Sequence, residues 1–155
     1  MKTTKRYGKK ADLALSLWVK LARAAGTFGR LTGTDIEGYG LTSPQFSVLE
    51  ALGHLGPMTI GDLGRKMLST GGNMTVVVDN LERDGLVMRN QAPKDRRVIM
   101  VALTAKGQKL FDEIFPKHAA FVARIASVLT DREQEQLSRL LKKLGTTCRG
   151  SIERN

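Results

Sequence analysis

The sequence predicts a mainly α-helical chain carrying one small antiparallel β hairpin. Three observations lead there. Apolar residues recur at spacings of three and four along most of the chain. Helix-start signatures stand at Thr42, Thr59, Thr70 and Thr130. The helical spacing gives way across 86–103 to two short segments, the second rich in Val, Ile and Met, that flank a charged turn.

The elements follow in order. Ala14, Leu17, Trp18, Leu21, Ala25 and Phe28 mark a first helix from Ala11 to about Leu31. Gly26 and Gly29 weaken it, each by about 1 kcal/mol relative to alanine. The glycine-bearing stretch Thr32 to Gly40 is expected to be a loop. Thr42 and Gln45 have the spacing of a capping box, with Leu41 and Phe46 placed as a hydrophobic staple. That helix runs to Leu55 and stops at Gly56-Pro57. Thr59 caps a short helix with Ile60, Leu63 and Met67 inward. Thr70 caps another, whose apolar face is Met74, Val77, Val78 and Leu81, and Asp84-Gly85 ends it. Strands are expected over 86–91 and 97–103, joined by the tip Ala92-Pro93-Lys94-Asp95-Arg96. Helical spacing returns through Leu110, Phe111, Ile114, Phe115 and Ile125. Pro116 inside this run predicts a kink in one helix, not two helices. Thr130 and Glu133 form a second capping box before a last helix with Leu137, Leu140, Leu141 and Leu144.

From Thr42 the order is helix, short helix, tight turn, helix, hairpin, the layout of a winged helix-turn-helix. The helix after Thr70 is then the candidate reader of DNA. Its outer face carries Gly72, Asn73, Val76, Asn80 and Arg83, with Thr75 between the two faces. Small residues permit close approach to a major groove, and Asn or Thr can bond base edges. Taken alone, the same pattern describes an ordinary solvated helix face. The hairpin adds Lys94, Arg96 and Arg97 on a short exposed loop, where arginine can enter a minor groove. Asp95 beside them would be repelled by phosphate unless it pairs with a cation, so it is expected to orient a neighbouring arginine. The other reading of 93–95 is a plain solvated turn.

Charge agrees. The 155 residues carry 25 Lys and Arg against 15 Asp and Glu, a net charge of +10. Such a surplus favours nucleic acid or an anionic membrane surface. Lys2, Lys5, Arg6, Lys9 and Lys10 before an apolar stretch imitate a secretory signal, but Asp12, Ser16, Lys20 and Arg23 interrupt it at helical intervals. An amphipathic helix behind a basic arm is expected, with no membrane partner, because no run of eighteen uninterrupted apolar residues exists. A single cysteine, Cys148, fits a reducing, cytoplasmic setting.

The strings LTSPQFSVLEALGHLGPMTIGDLGRKM, GGNMTVVVDNLERDGLVMR and PKDRRVIMVALTAKG, in that order, resemble the multiple-antibiotic-resistance regulator (MarR) family. The resemblance is carried by Thr42 to Gly107 and extends to the flanking helices. It implies a sequence-specific regulator, by default a repressor, that binds a palindromic operator as a homodimer. Residues 1–38 would form an N-terminal arm and dimerisation helix, 39–104 the DNA-binding domain and 105–155 C-terminal dimerisation helices. Leu17 and Leu21 in the first helix, and Leu137, Leu140, Leu141 and Leu144 in the last, would lie in the dimer interface; the last four also suit an intrachain core. Thr70, Gly71, Gly72, Asn73, Thr75 and Val76 would face the major groove, and Arg96 and Arg97 would serve the wing. Family members commonly leave DNA on binding a small, often aromatic, ligand. Trp18, Phe28, Tyr39, Phe46, Phe111 and His118 are the pocket candidates, and each is also a natural core residue.

Other classes find little support. Gly71-Gly72 lacks the Lys-Ser/Thr of a phosphate loop, and no nucleophile elbow or metal spacing occurs, so no enzyme, cofactor or zinc site is expected. A non-specific or architectural nucleic-acid protein fits the charge equally well. The peroxide-sensing branch of the family uses a cysteine in the first helix, which this chain lacks. Cys148→Ser is therefore expected to leave any peroxide response of DNA binding unchanged in a gel-shift assay.

Overall fold

The computed structural model describes residues 7–67, 71–92 and 95–152. Their elements are α1 (Lys9–Glu37), α2 (Ser43–Leu55), β1 (Met58–Thr59), α3 (Ile60–Lys66), α4 (Gly71–Arg83), β2 (Val87–Ala92), β3 (Asp95–Leu103), α5 (Ala105–Ala126) and α6 (Asp131–Ile152). The chain divides into two compact units, Met1–His118 and Ala119–Asn155.

In the first unit α1 runs past the loop expected over Thr32 to Gly40. Only Gly38, Tyr39 and Gly40 at the end of that stretch leave the helix. The Thr32 and Thr34 hydroxyls donate to carbonyls one turn back, Phe28 and Arg30, at 3.1 Å each. Ile36 is buried in the main core. Tertiary packing of this last turn outweighs the weak helix propensity of its glycine and threonines.

The capping signals form as written. Thr42 accepts from the Gln45 amide, and Gln45 Oε1 accepts from the Thr42 amide at 2.9 Å. Leu41 and Phe46 are both buried in the same cluster. Thr59 accepts from the Asp62 amide at 3.0 Å. The Thr70 cap lies outside the described residues. At the far end of α4, Gly85 takes φ +71°, the left-handed conformation that glycine adopts without strain. Its N–H donates to Glu82 O, and Leu86 N–H donates to Leu81 O, both at 2.9 Å, closing the helix as a Schellman motif does.

The sheet has three strands in the order β1-β3-β2, all antiparallel. The β1 strand was not expected; Met58 and Thr59 pair with Val101 and Met100. A two-residue strand has no periodicity to reveal it. The hairpin tip is also tighter than 92–96. β3 begins at Asp95, which pairs with Ala92 across an irregularity after Gln91. Pro93 and Lys94 lie outside the described residues.

The core gathers Leu49 and Leu52 of α2, Leu63 of α3, Met74, Val78 and Leu81 of α4, and Val87 and Val101 of the sheet. All four residues of α4's expected apolar face are buried. Pro116 sits inside one continuous α5, as expected. The second unit holds the end of α5 and α6. There Thr130 and Glu133 form their capping box, with the Thr130 amide donating to Glu133 Oε2 at 2.8 Å. That amide, then the Thr130 hydroxyl, holds the Glu133 carboxyl below its ordinary range. In the single chain Leu137, Leu140, Leu141 and Leu144 are exposed.

One close approach ties the reader, the wing and α5 together. Thr104 Oγ1 donates to Gly85 O at 2.7 Å and accepts from the Gly107 amide at 3.0 Å. A Cβ on Gly107 would stand 1.9 Å from Leu86 O, a backbone atom that cannot step aside. Gly107→Ala is therefore expected to lower the unfolding free energy by about 2–3 kcal/mol, the upper part of the usual overpacking range. Denaturant unfolding monitored by circular dichroism would check this.

Candidate nucleic-acid interface

The apolar stripe of α4 fixes which side the helix turns outward. With Met74, Val77, Val78 and Leu81 inside, Asn73, Thr75, Val76 and Arg83 are exposed and Asn80 is half-buried. Val76 is 57% exposed, which leaves a branched methyl surface beside polar groups, as contact with a thymine methyl requires. Arg83 Nη2 donates to Asn80 Oδ1 at 3.0 Å, so these two outward groups form one unit. Gly71 and Gly72 form the first turn of α4.

The wing brings one arginine under control. Asp95 Oδ1 accepts from Arg97 N at 3.0 Å and from Arg97 Nε at 3.1 Å, while Oδ2 accepts from Arg97 Nη2 at 3.1 Å. This is a fork-to-fork pair, stiffer than a single ion contact. The Arg97 side chain is 91% exposed, so the pair holds it in solvent and not against the body. The Arg97 side chain, then its backbone amide, holds the Asp95 carboxyl below the ordinary carboxylate range. Asp95 in turn raises the Arg97 guanidinium. Arg96 lies in β3 next to this pair.

Two further linkages in the first unit involve Arg89, Asp79, Glu82 and Asp35, which the sequence does not single out. Arg89 on β2 binds Asp79 and Glu82 of α4. Asp35 of α1 lies 2.7 Å from His118 Nδ1 of α5 and accepts from Tyr39 OH at 3.3 Å. Burial, then the Asp35 charge and hydrogen bond, raises the Tyr39 hydroxyl pKa. Asp35 and His118 are 83 residues apart, and Arg89 reaches Asp79 and Glu82 only across the turn that folds β2 back on α4, so helical or strand spacing carries no trace of either link.

The pocket candidates separate. Phe46, Phe111 and His118 are buried, Tyr39 is half-buried, and Trp18 and Phe28 are exposed on α1. Phe46 packs on His118 at 4.6 Å between ring centroids, and Phe111 packs on Phe115 at 5.2 Å. A cleft of about 700 Å³ lies elsewhere, lined by Ser47, Glu50 and His54 of α2 with Lys66, Asn73 and Met74 among its other walls. None of the six candidates lines it. Among the described residues no cluster of His, Cys, Asp and Glu could hold a metal ion.

A helix with a bare polar face, braced from behind and followed by a wing with an outward arginine, defines a winged helix-turn-helix DNA-binding protein. The comparisons agree. Residues 41–99 match the MarR family. The HTH-type transcriptional regulator YkoM of Bacillus subtilis, itself uncharacterised, is 39% identical, covering 88% of this chain and 89% of its own. AbsC, a MarR family transcriptional regulator from Streptomyces coelicolor, shares the fold at a TM-score of 0.78 and 22% identity, over 95% of this chain and 99% of its own. NadR, solved in complex with 4-hydroxyphenylacetate, shares it at 0.72 and 24% identity, over 93% and 97%. The chain belongs to the MarR family of transcriptional regulators.

The Asp95–Arg97 pair yields a prediction in which two effects oppose. Removing the carboxylate raises the local positive charge, which alone would strengthen DNA binding. It also frees the guanidinium to wander. If the wing meets DNA through this fork, Asp95→Ala is expected to weaken DNA binding by about three- to tenfold, because the fork sets the direction of Arg97. Acidification distinguishes the groups by sign. A depressed folded pKa keeps the pair intact above the ordinary carboxylate value and loses it only as pH falls below that value. Fluorescence anisotropy of DNA binding should show no step from Asp95 between about pH 5 and pH 8.

Proposed function

We propose that the protein is a homodimeric, sequence-specific repressor, released from a palindromic operator by a small aromatic ligand. The observation that carries this reading is the pairing of α4's outward polar face with the Asp95-braced Arg97 on one compact unit. Thr70 to Val76 and Asn80 meet base edges and adjacent phosphates in the major groove. Lys94, Arg96 and Arg97 serve the minor groove, with Asp95 setting the wing. Two copies put their readers about one helical turn apart, ~10 base pairs between half-site centres.

Dimerisation uses α1 and α6. Leu17, Trp18, Leu137 and Leu140 are each 45–64% exposed in the single chain, an unusual amount of large apolar surface on two helices. Leu21, Leu141 and Leu144 extend the same seams. Residues 39–104 serve as the DNA-binding domain, flanked by dimerisation segments 1–38 and 105–155. No described helix is long and apolar enough to cross a membrane; the working place of such a regulator is the cytoplasm, and it needs no catalytic residue or cofactor.

Repression is the direction the family resemblance implies. The fold of NadR accommodates an aromatic acid. Tyr39, Phe46 and His118 are the members of the six-residue candidate set that share one neighbourhood, with Asp35 linking Tyr39 to His118.

The rival is a non-specific architectural protein. An operator regulator should prefer its site over bulk DNA by ~10³-fold or more. A genome-wide DNA pull-down with and without phenolic ligands reads site, spacing and inducer together. Recovery of one palindromic class, lost with a phenolic compound, supports the reading. Uniform recovery of all DNA would sink it. Arg97→Ala should lower operator affinity by about tenfold and reduce the slope of log K against log salt by about one if the arginine meets a phosphate.

A further inference from the structure

The last turns of α4 and the inner strand of the wing are joined by a single side chain. Arg89 lies on β2 opposite Val101, a core residue. Its guanidinium donates through Nη1 to Glu82 Oε2 and through Nη2 to Asp79 Oδ1, the latter at 2.5 Å. Its backbone amide also donates to Glu82 Oε1 at 3.2 Å. Asp79 and Glu82 stand one turn apart on the flank of α4, between the buried stripe of Val78 and Leu81 and the outward Asn80 and Arg83. One planar cation thus spans a turn of the reading helix and ties it to the wing.

A single exposed ion pair holds little; here one half-buried arginine engages two carboxylates at once, in a network and not a lone pair. The Arg89 side chain is 24% exposed, while Asp79 and Glu82 are 56% and 39% exposed. Burial alone would lower the guanidinium pKa, yet the hydrogen bonds to Asp79 and Glu82 raise it above its ordinary value. The link also crosses a natural pivot. Only Asp84, Gly85 and Leu86 separate α4 from β2, and Gly85 has the freest backbone of the three. Without a brace, rotation about this turn changes the angle between helix and hairpin.

We propose that Arg89 is a positioning residue for operator recognition: it contacts no DNA, and by clamping Asp79 and Glu82 it fixes the angle at which α4 and the wing meet their grooves together. The inference rests on the DNA-reading function proposed above. A lysine cannot replace the clamp. Its ammonium is a point donor without the planar fork, so it cannot hold both carboxylates in this geometry. Nor is the residue placed as a charge for phosphate: its side chain is only 24% exposed and both terminal nitrogens donate to carboxylates.

The test uses full-length wild type, Arg89→Lys and Arg89→Met. In the free protein, amide hydrogen exchange should quicken in β2 and in the last turns of α4 in both variants. On DNA, both should lose operator affinity by about tenfold, within the range seen for residues that act without touching the ligand. Affinity for random-sequence DNA should stay within about twofold, and the salt slope should not change. Unchanged exchange and operator affinity would overturn the clamp. So would a salt slope smaller by about one in Arg89→Met with Arg89→Lys at wild-type affinity, the signature of a phosphate contact. Equal loss on operator and random DNA would reduce Arg89 to general stability and also overturn it. Should Arg89→Met fail to fold, Arg89→Lys and Glu82→Gln carry the same readouts, the first retaining the positive charge and the second an accepting amide oxygen. A wild type with no preferred site sinks the operator reading, and the exchange data then decide the clamp alone.

Discussion

The polar side of α4 is available because its other side is not. Met74, Val77, Val78 and Leu81 are all buried against Leu49, Leu63 and Val101 in one cluster. Full burial of each such side chain is worth about 1.5–3 kcal/mol relative to exposure. A thirteen-residue helix has little stability alone. The buried stripe therefore both forms α4 and sets its rotation about its own axis. A shift of one residue in that stripe would turn Asn73 and Val76 inward and bring a core residue out. The capacity to meet a groove is a by-product of packing.

Packing sets rotation, and three kinds of contact meet around the Gly85 turn that leads from α4 to the wing. Schellman hydrogen bonds end the helix. Thr104 ties the Gly85 carbonyl to the first turn of α5, with Gly107 pressed against Leu86. Arg89 braces the far side through Asp79 and Glu82. Each of these contacts lies away from the outward face of Asn73, Thr75 and Val76 proposed to meet DNA.

Much of this was legible in the residue order because it is local. Capping boxes at Thr42 and Thr130 depend on residues three apart, and α4's buried face on a period of 3.6, so sequence spacing predicts both. Where long-range contacts decide, the reading fell short. Thr32 to Glu37 looked like a loop because its glycine and threonines favour one; its helix exists because Ile36 reaches the core. The β1 strand is two residues long and owes its existence to β3. Glu82 and Arg89 are seven residues apart across a turn, a spacing that signifies nothing until the turn is formed. Aromatic or histidine character does not distinguish a wall of a pocket from a member of a core: Phe46 and Phe111 are packed inside, while Trp18 and Phe28 lie outside.

The distribution of charge separates affinity from discrimination. A net charge of +10 attracts any polyanion, and attraction of that kind is blind to sequence. Yet the reading unit holds carboxylates at Asp79, Glu82 and Asp95 where a surface built for attraction alone would have none. Each is paired with an arginine, and each pair removes some positive potential while fixing a direction. Asp95 orients Arg97, and Asp79 with Glu82 holds Arg89 of the hairpin. For a non-specific binder such acidic residues would be a loss of attraction; under the proposed operator-reading function they exchange positive potential for direction, which is what discrimination between sequences needs.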